Sequence, residues 1–533
     1  MSPSRSKRDR ILAAAQREHD RLYAILDEDP LRAASEARLL VPSPDLTETN
    51  VKGIRAMVLI DSGDQLSNAD LVAEGIAILR DLKRPDTPQF SYNLANGISA
   101  LARIRGKRVG HLDTAADRLE ARRLFQEAAD ICDEASVKSA ALTNQANLLK
   151  DSFRWVEAYD AYAAALKHDP TNAVALSGIS NIIRWRMKGR VHVDGPLQRT
   201  AVRYLLRAYE SRARAGHYAG RRGVRRVEKL MEEFKIDVNA ERPRKEAEPT
   251  SPYGAFVRSH CLALCLAPES AGADLKRWDH LSIKSVTGKL SSRSATVPAM
   301  FAAWNLLKSD FLAARWLAYV AMKGLVPETG SYSDTLDYGK YGTGQSVLII
   351  AQKATLDVLD KIAAAATDYL GLSGNPRKVY FRSRWHVMDV KERRMFASPL
   401  QWQPEVENEI CLGNAGLIAL SELAYDYAGG YLRSKKEIRD SATHRLIVLH
   451  EMLMRDKSNP VDFLERYTEY DFERLLVESL QVARAALFYF HESVTTHERR
   501  LRRDIGEVPV LSFPSHHLIR GEDSNIQGLT PEE

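Results

Sequence analysis

Over roughly the first 240 residues, apolar side chains recur every three or four positions. Ala, Leu, Arg and Glu are frequent, and little of the strict alternation that marks strands is present. The clearest unit runs from Ser139 to Asn172. Leu142, Ala146 and Leu149 mark one helix, and Ala158, Tyr162 and Ala165 a second. Small Ala146 and Ala158 let two antiparallel helices approach closely, Tyr162 fills the gap between them, and Pro170 ends the second. Asp169-Pro170-Thr171-Asn172 predicts a turn into the next pair. Tyr92–Gly97 reads as part of an earlier first helix and Ala121–Ala135 as a second. Ala173–Arg184 opens a later pair that resumes near Thr200–Ala213.

A junction follows at 241–252, inside Asn239–Pro252, where three prolines stand among charged and small residues. The pattern then predicts a second helical unit over 253–506. Phe256–Leu266 is apolar and reads as a buried helix broken by Pro268. A long helix is predicted over Ala299–Lys323, with Phe301, Leu306, Leu307, Phe311, Leu312 and Leu317 facing inward. A turn-rich stretch at 331–344 separates it from a helix over Gln345–Leu370, which Gly371 and Gly374-Asn375-Pro376 stop. Val379–Val390 alternates, as a short strand or an extended loop does. Leu412–Tyr427 predicts a helix ended by Gly429-Gly430, and Ile438–Leu453 the start and body of another. Thr468-Glu469-Tyr470-Asp471 reads as the start of a final helix to about Arg503. From 507 to 533 the composition is that of an unstructured tail.

Size and chemistry narrow the function classes. At 533 residues the chain is too long for one core. The longest apolar runs fall far short of a membrane span, and the basic N-terminus lacks the apolar core of a secretory signal, so a cytoplasmic protein with no membrane partner is expected. Four cysteines are too few for a disulfide scaffold. His260, Cys261 and Cys265 are separated by apolar residues, which makes the thiols small hydrophobes and leaves no metal site or cofactor to expect. The net charge of +6 permits an anionic partner. A basic run (Arg212, Arg214, Arg221, Arg222, Arg225, Arg226) near Tyr209 and Tyr218 is either the solvated face of a helix or a contact for a nucleic-acid backbone. Gly339, Gly342 and Gly344 lack the preceding strand and the Lys-Ser/Thr of a phosphate loop.

The candidate chemistry lies at Arg439, Asp440 and His444. An Arg is always charged and forks to match a phosphate, and a His titrates near neutrality and can act as acid or base. The gap alone is unspecific: Arg105/His111, Arg212/His217, Arg445/His450 and Arg484/His491 also fall within a gap of four to six residues. Five helical residues turn a side chain by about 140°, so Arg439 and His444 share a face only where a helix starts or bends between them. Asp440 and His444 are four apart, a spacing at which the carboxylate can orient the ring. The bland alternative is that Arg439 and His444 only cap and salt-bridge a helix.

Two resemblances organise these observations. The region from about 50 to 215 resembles tetratricopeptide repeats, which implies a stacked all-α solenoid whose concave face takes a protein or peptide partner. The second half resembles the HEPN domain, an all-α family whose Arg-x(4–6)-His motif forms a metal-independent ribonuclease site. F-V-R-S-H-C-L-A-L near 256, W-N-L-L-K-S-D-F-L-A-A-R-W near 304, Y-S-D-T-L-D-Y-G-K-Y-G near 332 and A-R-A-A-L-F-Y-F near 483 look like a HEPN subfamily with a tetratricopeptide-like N-terminal region. The expected architecture is therefore all-α, with a repeat region at 1–240 followed by a HEPN-type bundle. The resemblance implies an RNA substrate, catalysis by Arg439 and His444 with Asp440 beside them, and a homodimer that pairs two motifs. It also implies a role in antiviral defence or toxin-like growth arrest. The subfamily often carries Asn where this chain has Asp440, which keeps open a non-catalytic scaffold that binds protein or nucleotide.

Overall fold

The computed structural model describes residues 5–82, 88–106, 110–187, 195–237, 242–273, 278–287, 298–388, 396, 400–435, 437–438, 446–452 and 464–505. The described residues divide into two units, one running to Arg244 together with 400–401, the other comprising the remainder. Among the described residues the fold is all-α apart from one small three-stranded sheet.

The first unit contains α1 (Arg5–Glu28), α2 (Pro30–Leu39), α3 (Glu48–Leu66), α4 (Ala69–Leu82), α5 (Pro88–Gly106), α6 (Ala115–Ile131), α7 (Ala135–Asp151), α8 (Trp155–His168), α9 (Ala173–Met187), α10 (Gly195–Glu210) and α11 (Arg212–Glu233). From α2 to α11 each helix packs on its chain neighbours, and α3, α5, α7 and α9 also touch in succession. This is repeat-like packing. Ala146 and Ala158 are fully buried at the α7–α8 crossing, and Tyr162 lies beside them. A Cβ at Gly178 would fall 2.5 Å from the Tyr162 ring, so only glycine lets α9 sit this close. The turn before α9 forms as expected. Asp169 accepts from the Thr171 amide at 2.9 Å, and Asn172 caps α9 through the amides of Val174 and Ala175, both at 3.1 Å. The Asn172 Nδ2 also donates to Ser139 and Thr143 of α7, tying one pair to the next.

The second unit contains α12 (Pro252–Ser259), α13 (Pro268–Ala271), α14 (Ala299–Met322), α15 (Thr343–Tyr369), α16 (Pro404–Cys411), α17 (Ala415–Gly429) and α18 (Glu469–Ile505). α14, α15, α17 and α18 form its bundle. A Cβ at Gly416 would lie 2.5 Å from the Tyr489 carbonyl oxygen, so glycine sets the close approach of α17 to α18. At the start of α18 the Thr468 hydroxyl accepts from the Asp471 amide at 3.0 Å. β1 (Gly339–Lys340) pairs antiparallel with the end of β2 (Leu446–His450), and β3 (Leu464–Thr468) pairs parallel with β2 from Leu446↔Leu464 to His450↔Thr468.

Four expectations change. The described part of the Leu446–Leu453 stretch, 446–452, does not form a helix: Leu446-Ile447-Val448-Leu449 is a β-strand, as its branched aliphatic residues favour once partners are available on both edges. The apolar run around Cys261 is not a continuous helix either. α12 ends at Ser259, Cys261 takes a left-handed φ of 57°, and Leu262–Ala267 crosses the interior without helical hydrogen bonds. On α14 the inward face is Met300, Trp304, Leu307, Phe311, Ala314 and Ala318, while Leu306 is exposed. Adjacent residues on a helix lie about 100° apart, so Leu306 and Leu307 do not share the core. Finally, 379–388 is neither a strand nor plain loop. It holds a short 3₁₀ turn at Phe381–Ser383 and a single bridge from His386 to Trp402.

Candidate functional site

The approach to the motif is anchored from below. Lys435 is buried and its Nζ lies 2.7 Å from Glu478 of α18, and Ile438 is buried three residues further on. Arg439, Asp440 and His444 themselves lie outside the described residues. β2 begins at Leu446, two residues after His444, so the first described residues beyond the motif form a strand rather than a helix. The motif segment thus joins a residue locked in the core to the central strand of the sheet.

The other face of that strand is set by the turn-rich loop between α14 and α15. The Asp337 carbonyl accepts from His450 Nδ1 at 3.0 Å, and the Tyr338 carbonyl accepts from the Glu451 amide at 3.0 Å. His450 is therefore a core residue of the sheet, bonded through Nδ1; its Nε2 is buried with no hydrogen-bond partner among the described residues. The loop itself is cross-braced. Glu328 accepts from the amides of Thr329, Gly330 and Thr343 at 2.7–2.8 Å, and Asp337 from the Gly339 amide at 3.2 Å. The Gly330 and Thr343 amides, followed by the Thr343 hydroxyl, outweigh burial and hold the Glu328 carboxyl at about 2. Leu336 and Tyr338 take positive φ (57° and 61°), a strained conformation that this bracing sustains. The loop presents Tyr332, Leu336, Tyr338 and Tyr341 to solvent.

Beside β1 lies a cleft of about 350 Å³ lined by Glu328, Gln345, Glu469 and Glu473 together with Met322 and Leu348. Glu469 accepts from Lys340 of β1 and, at 3.1 Å, from Gln345. Burial and the neighbouring Glu469 raise the Glu473 carboxyl. An acidic cleft repels a phosphate backbone, so the cleft itself is not where RNA would lie. Among the described residues no cluster of three metal-capable side chains is found.

Three of the four segments that carry the family resemblance form a structural frame. Arg315 of α14 donates to both oxygens of Asp279 at 3.0 and 2.7 Å, to the Leu262 carbonyl and to the Tyr253 hydroxyl, each at 2.9 Å. Burial pushes the Asp279 carboxyl up, but Arg315 outweighs it and the net shift is downward. Asp279 in turn accepts from the Leu264 amide at 2.9 Å. Arg484 of α18 is fully buried and donates to the carbonyls of Ala263 and Cys265 at 2.7 and 3.3 Å. These guanidiniums satisfy the carbonyls that the non-helical 262–267 segment leaves unpaired, which is why it need not be a helix. His491 lies 3.0 Å from the Ser282 carbonyl, so the Arg484/His491 pair is structural. Burial lowers the His386 ring to about 4 and leaves it neutral in the core between Phe396 and Tyr425.

One charged constellation gives no signal in the sequence. Glu409 of α16 lies 2.5 Å from Arg500 and 3.2 Å from His497 Nδ1, both on α18, and Asn414 donates to it at 3.4 Å. Glu498 accepts from the Thr287 amide and hydroxyl, each at 2.7 Å, and from the Tyr369 hydroxyl. Burial would raise the Glu409 carboxyl, but His497 and Arg500 hold it at about 2. Its charged partners lie 88 and 91 residues from Glu409, and Tyr369 and Thr287 lie 129 and 211 residues from Glu498, so spacing could not reveal it. Because the carboxylates are already engaged by these donors, the network clamps α15, α16 and α18 together and leaves no obvious base for substrate.

Residues 291–497 match the family model described as LA2681-like HEPN. No curated protein and no solved structure matches the chain. The matched segment begins just ahead of α14, takes in the braced loop, the motif and the sheet, and ends on α18. It supports a HEPN-domain protein.

Proposed function

We propose that this chain is a metal-independent endoribonuclease of the HEPN type, acting through Arg439 and His444 with Asp440 beside them. The observation that carries the proposal is the position of R-D-x3-H inside the matched segment, directly between buried Ile438 and the central strand of the sheet. Of the other pairs within a gap of four to six residues, Arg484 is committed to the fold through both the Ala263 and Cys265 carbonyls, and His450 lies in the sheet core.

The chemistry follows from the residue types. The 2′-hydroxyl attacks the adjacent phosphorus and the bond to the leaving 5′-oxygen breaks, giving a 2′,3′-cyclic phosphate and a 5′-hydroxyl. His444 takes or returns a proton, Arg439 neutralises the charge that builds on the phosphoryl oxygens, and Asp440 orients the ring. One His cannot stand on both sides of the phosphorus at once, so two motifs are required, which a homodimer supplies. The first unit, with its repeat-like pairs, serves as a tetratricopeptide-type module that senses a partner protein or peptide. The cell setting is the cytoplasm, in antiviral defence or toxin-like growth arrest.

A second reading, a non-catalytic scaffold, is favoured by the ring of Glu328, Glu469 and Glu473 beside β1, which would oppose RNA close to the sheet. The test is to incubate the full chain with total RNA and with tRNA in EDTA and to read the product ends by mass spectrometry. Cyclic phosphate ends in EDTA support the ribonuclease. An absence of cutting across these substrates sustains the scaffold.

A further inference from the structure

The positive charge of this chain is concentrated in one place outside the HEPN segment. Between Arg199 and Lys229 ten basic residues stand against two acidic ones, Glu210 and Glu228, while the whole chain carries a net charge of only +6. The remainder of the protein is therefore slightly acidic.

The fold places this charge on α10 and α11 at the end of the repeat-like unit. α11 buries Ala215, Val227, Leu230 and Met231 against α9 and α10. Its opposite side exposes Arg214, Arg221, Arg222, Arg225, Arg226 and Lys229. Arg222 and Arg226 are four residues apart, as are Arg225 and Lys229, so the charges line up on adjoining rows over about 10 Å of helix. Elsewhere in the unit some surface arginines pair with carboxylates, as Arg38 does with Glu74 and Arg80 with Glu120. Arg222, Arg225 and Arg226 make no ion pair among the described residues, and Arg221 reaches Asp27 only at 3.7 Å with two thirds of its side chain exposed. Burial lowers the Lys150 ammonium of α7, Asp151 opposes that, and the charge of Arg226 adds a smaller push in the same direction as burial.

We infer that the exposed face of α11 is a docking site for the phosphate backbone of single-stranded RNA, independent of base sequence. Guanidinium forks match phosphate oxygens, and a row of them suits a polymer with one charge on every monomer. Among the described residues of this face no row of base-reading side chains stands between the arginines, so it holds the strand by charge. This site delivers RNA to the protein from a unit that carries none of the proposed catalytic residues. It stands on the charge distribution and does not require that the chain cleave RNA.

The probe is a fluorescent 20-nucleotide oligouridine with 2′-O-methyl groups, which lacks the attacking hydroxyl and cannot be cut; binding therefore reports docking alone. Its binding to the full chain is measured by anisotropy across a salt series. Wild type is expected to bind at low salt, with affinity falling steeply as salt rises. The triple variant Arg222→Ala/Arg225→Ala/Arg226→Ala, all solvent-facing changes, is expected to lose at least tenfold in affinity. Its slope of log affinity against log salt should drop by about two, at roughly 0.7 for each phosphate that is no longer neutralised. A control of equal charge change, Arg38→Ala/Arg80→Ala/Arg123→Ala, should stay within about twofold of wild type. Circular dichroism melting verifies that both variants fold; if the triple variant does not, Arg222→Gln/Arg225→Gln takes its place. The inference is overturned if wild type does not bind the probe, if the triple variant binds with unchanged affinity and slope, or if a poly-glutamate peptide binds where the RNA probe does not.

Discussion

Arg315 and Arg484 show how residue type misleads when context is missing. Each sits in a segment that resembles the family, and each is the sort of side chain that recognises phosphate. Both are spent instead on buried carbonyls and, for Arg315, on Asp279. Breaking one partner of such a pair leaves the other charged and desolvated, so Asp279→Ala should destabilise the second unit by about 3–5 kcal/mol. Urea denaturation of the full chain checks this, with an unfolding midpoint for that unit equal to wild type as the failing result. Glu409 makes a pH-dependent statement. Its carboxyl is held at about 2, below its ordinary 4.5, so its contribution is fully present above pH 4.5 and is lost as pH falls toward 2. Glu409→Gln should therefore melt below wild type at pH 7, and the gap should narrow at pH 3. A gap that stays constant across that range would mean that the charge on Glu409 does not stabilise the clamp.

At the scale of elements, helices in the first unit were legible because their signals are local. Ala146, Ala158 and Tyr162 lie on one repeating face, and Asp169 to Asn172 carry their turn in their own side chains. Asn172→Ala removes a cap for α9 and two hydrogen bonds to α7, and should cost at least about 1 kcal/mol, read as a lower thermal midpoint of the first unit. β2 was illegible for the converse reason. Leu446-Ile447-Val448-Leu449 is a short aliphatic run that suits a buried helix or a strand equally, and its partners at Gly339 and Leu464 are supplied by other parts of the chain. The segment around Cys261 failed as a helix because the side chains that hold it arrive from 50 and 220 residues away. The candidate site enters as an Arg–His spacing alone, and Arg439, Asp440 and His444 lie outside the described residues. The acidic cleft and the braced loop beside its strand depend on Glu328, Lys340 and Glu469 meeting in space.

The molecule as a whole combines a repeat-like unit that carries the excess positive charge with a second unit that contains the segment similar to the HEPN family model. Within the proposal these are separate tasks: α11 gathers the strand, and Arg439 and His444 cut it. The division has a quantitative consequence. Losing the α11 arginines should raise KM for a long RNA while leaving kcat close to wild type, since no group at the scissile phosphate has changed. A loss confined to kcat would contradict it. The claim on which everything else rests is that this chain cuts RNA with the motif pair. The most direct measurement is single-turnover cleavage of tRNA in EDTA by wild type, Arg439→Ala and His444→Ala purified side by side. Each substitution should slow cutting by about a hundredfold or more, with melting curves unchanged. Cutting that persists at the wild-type rate in both variants would contradict the account.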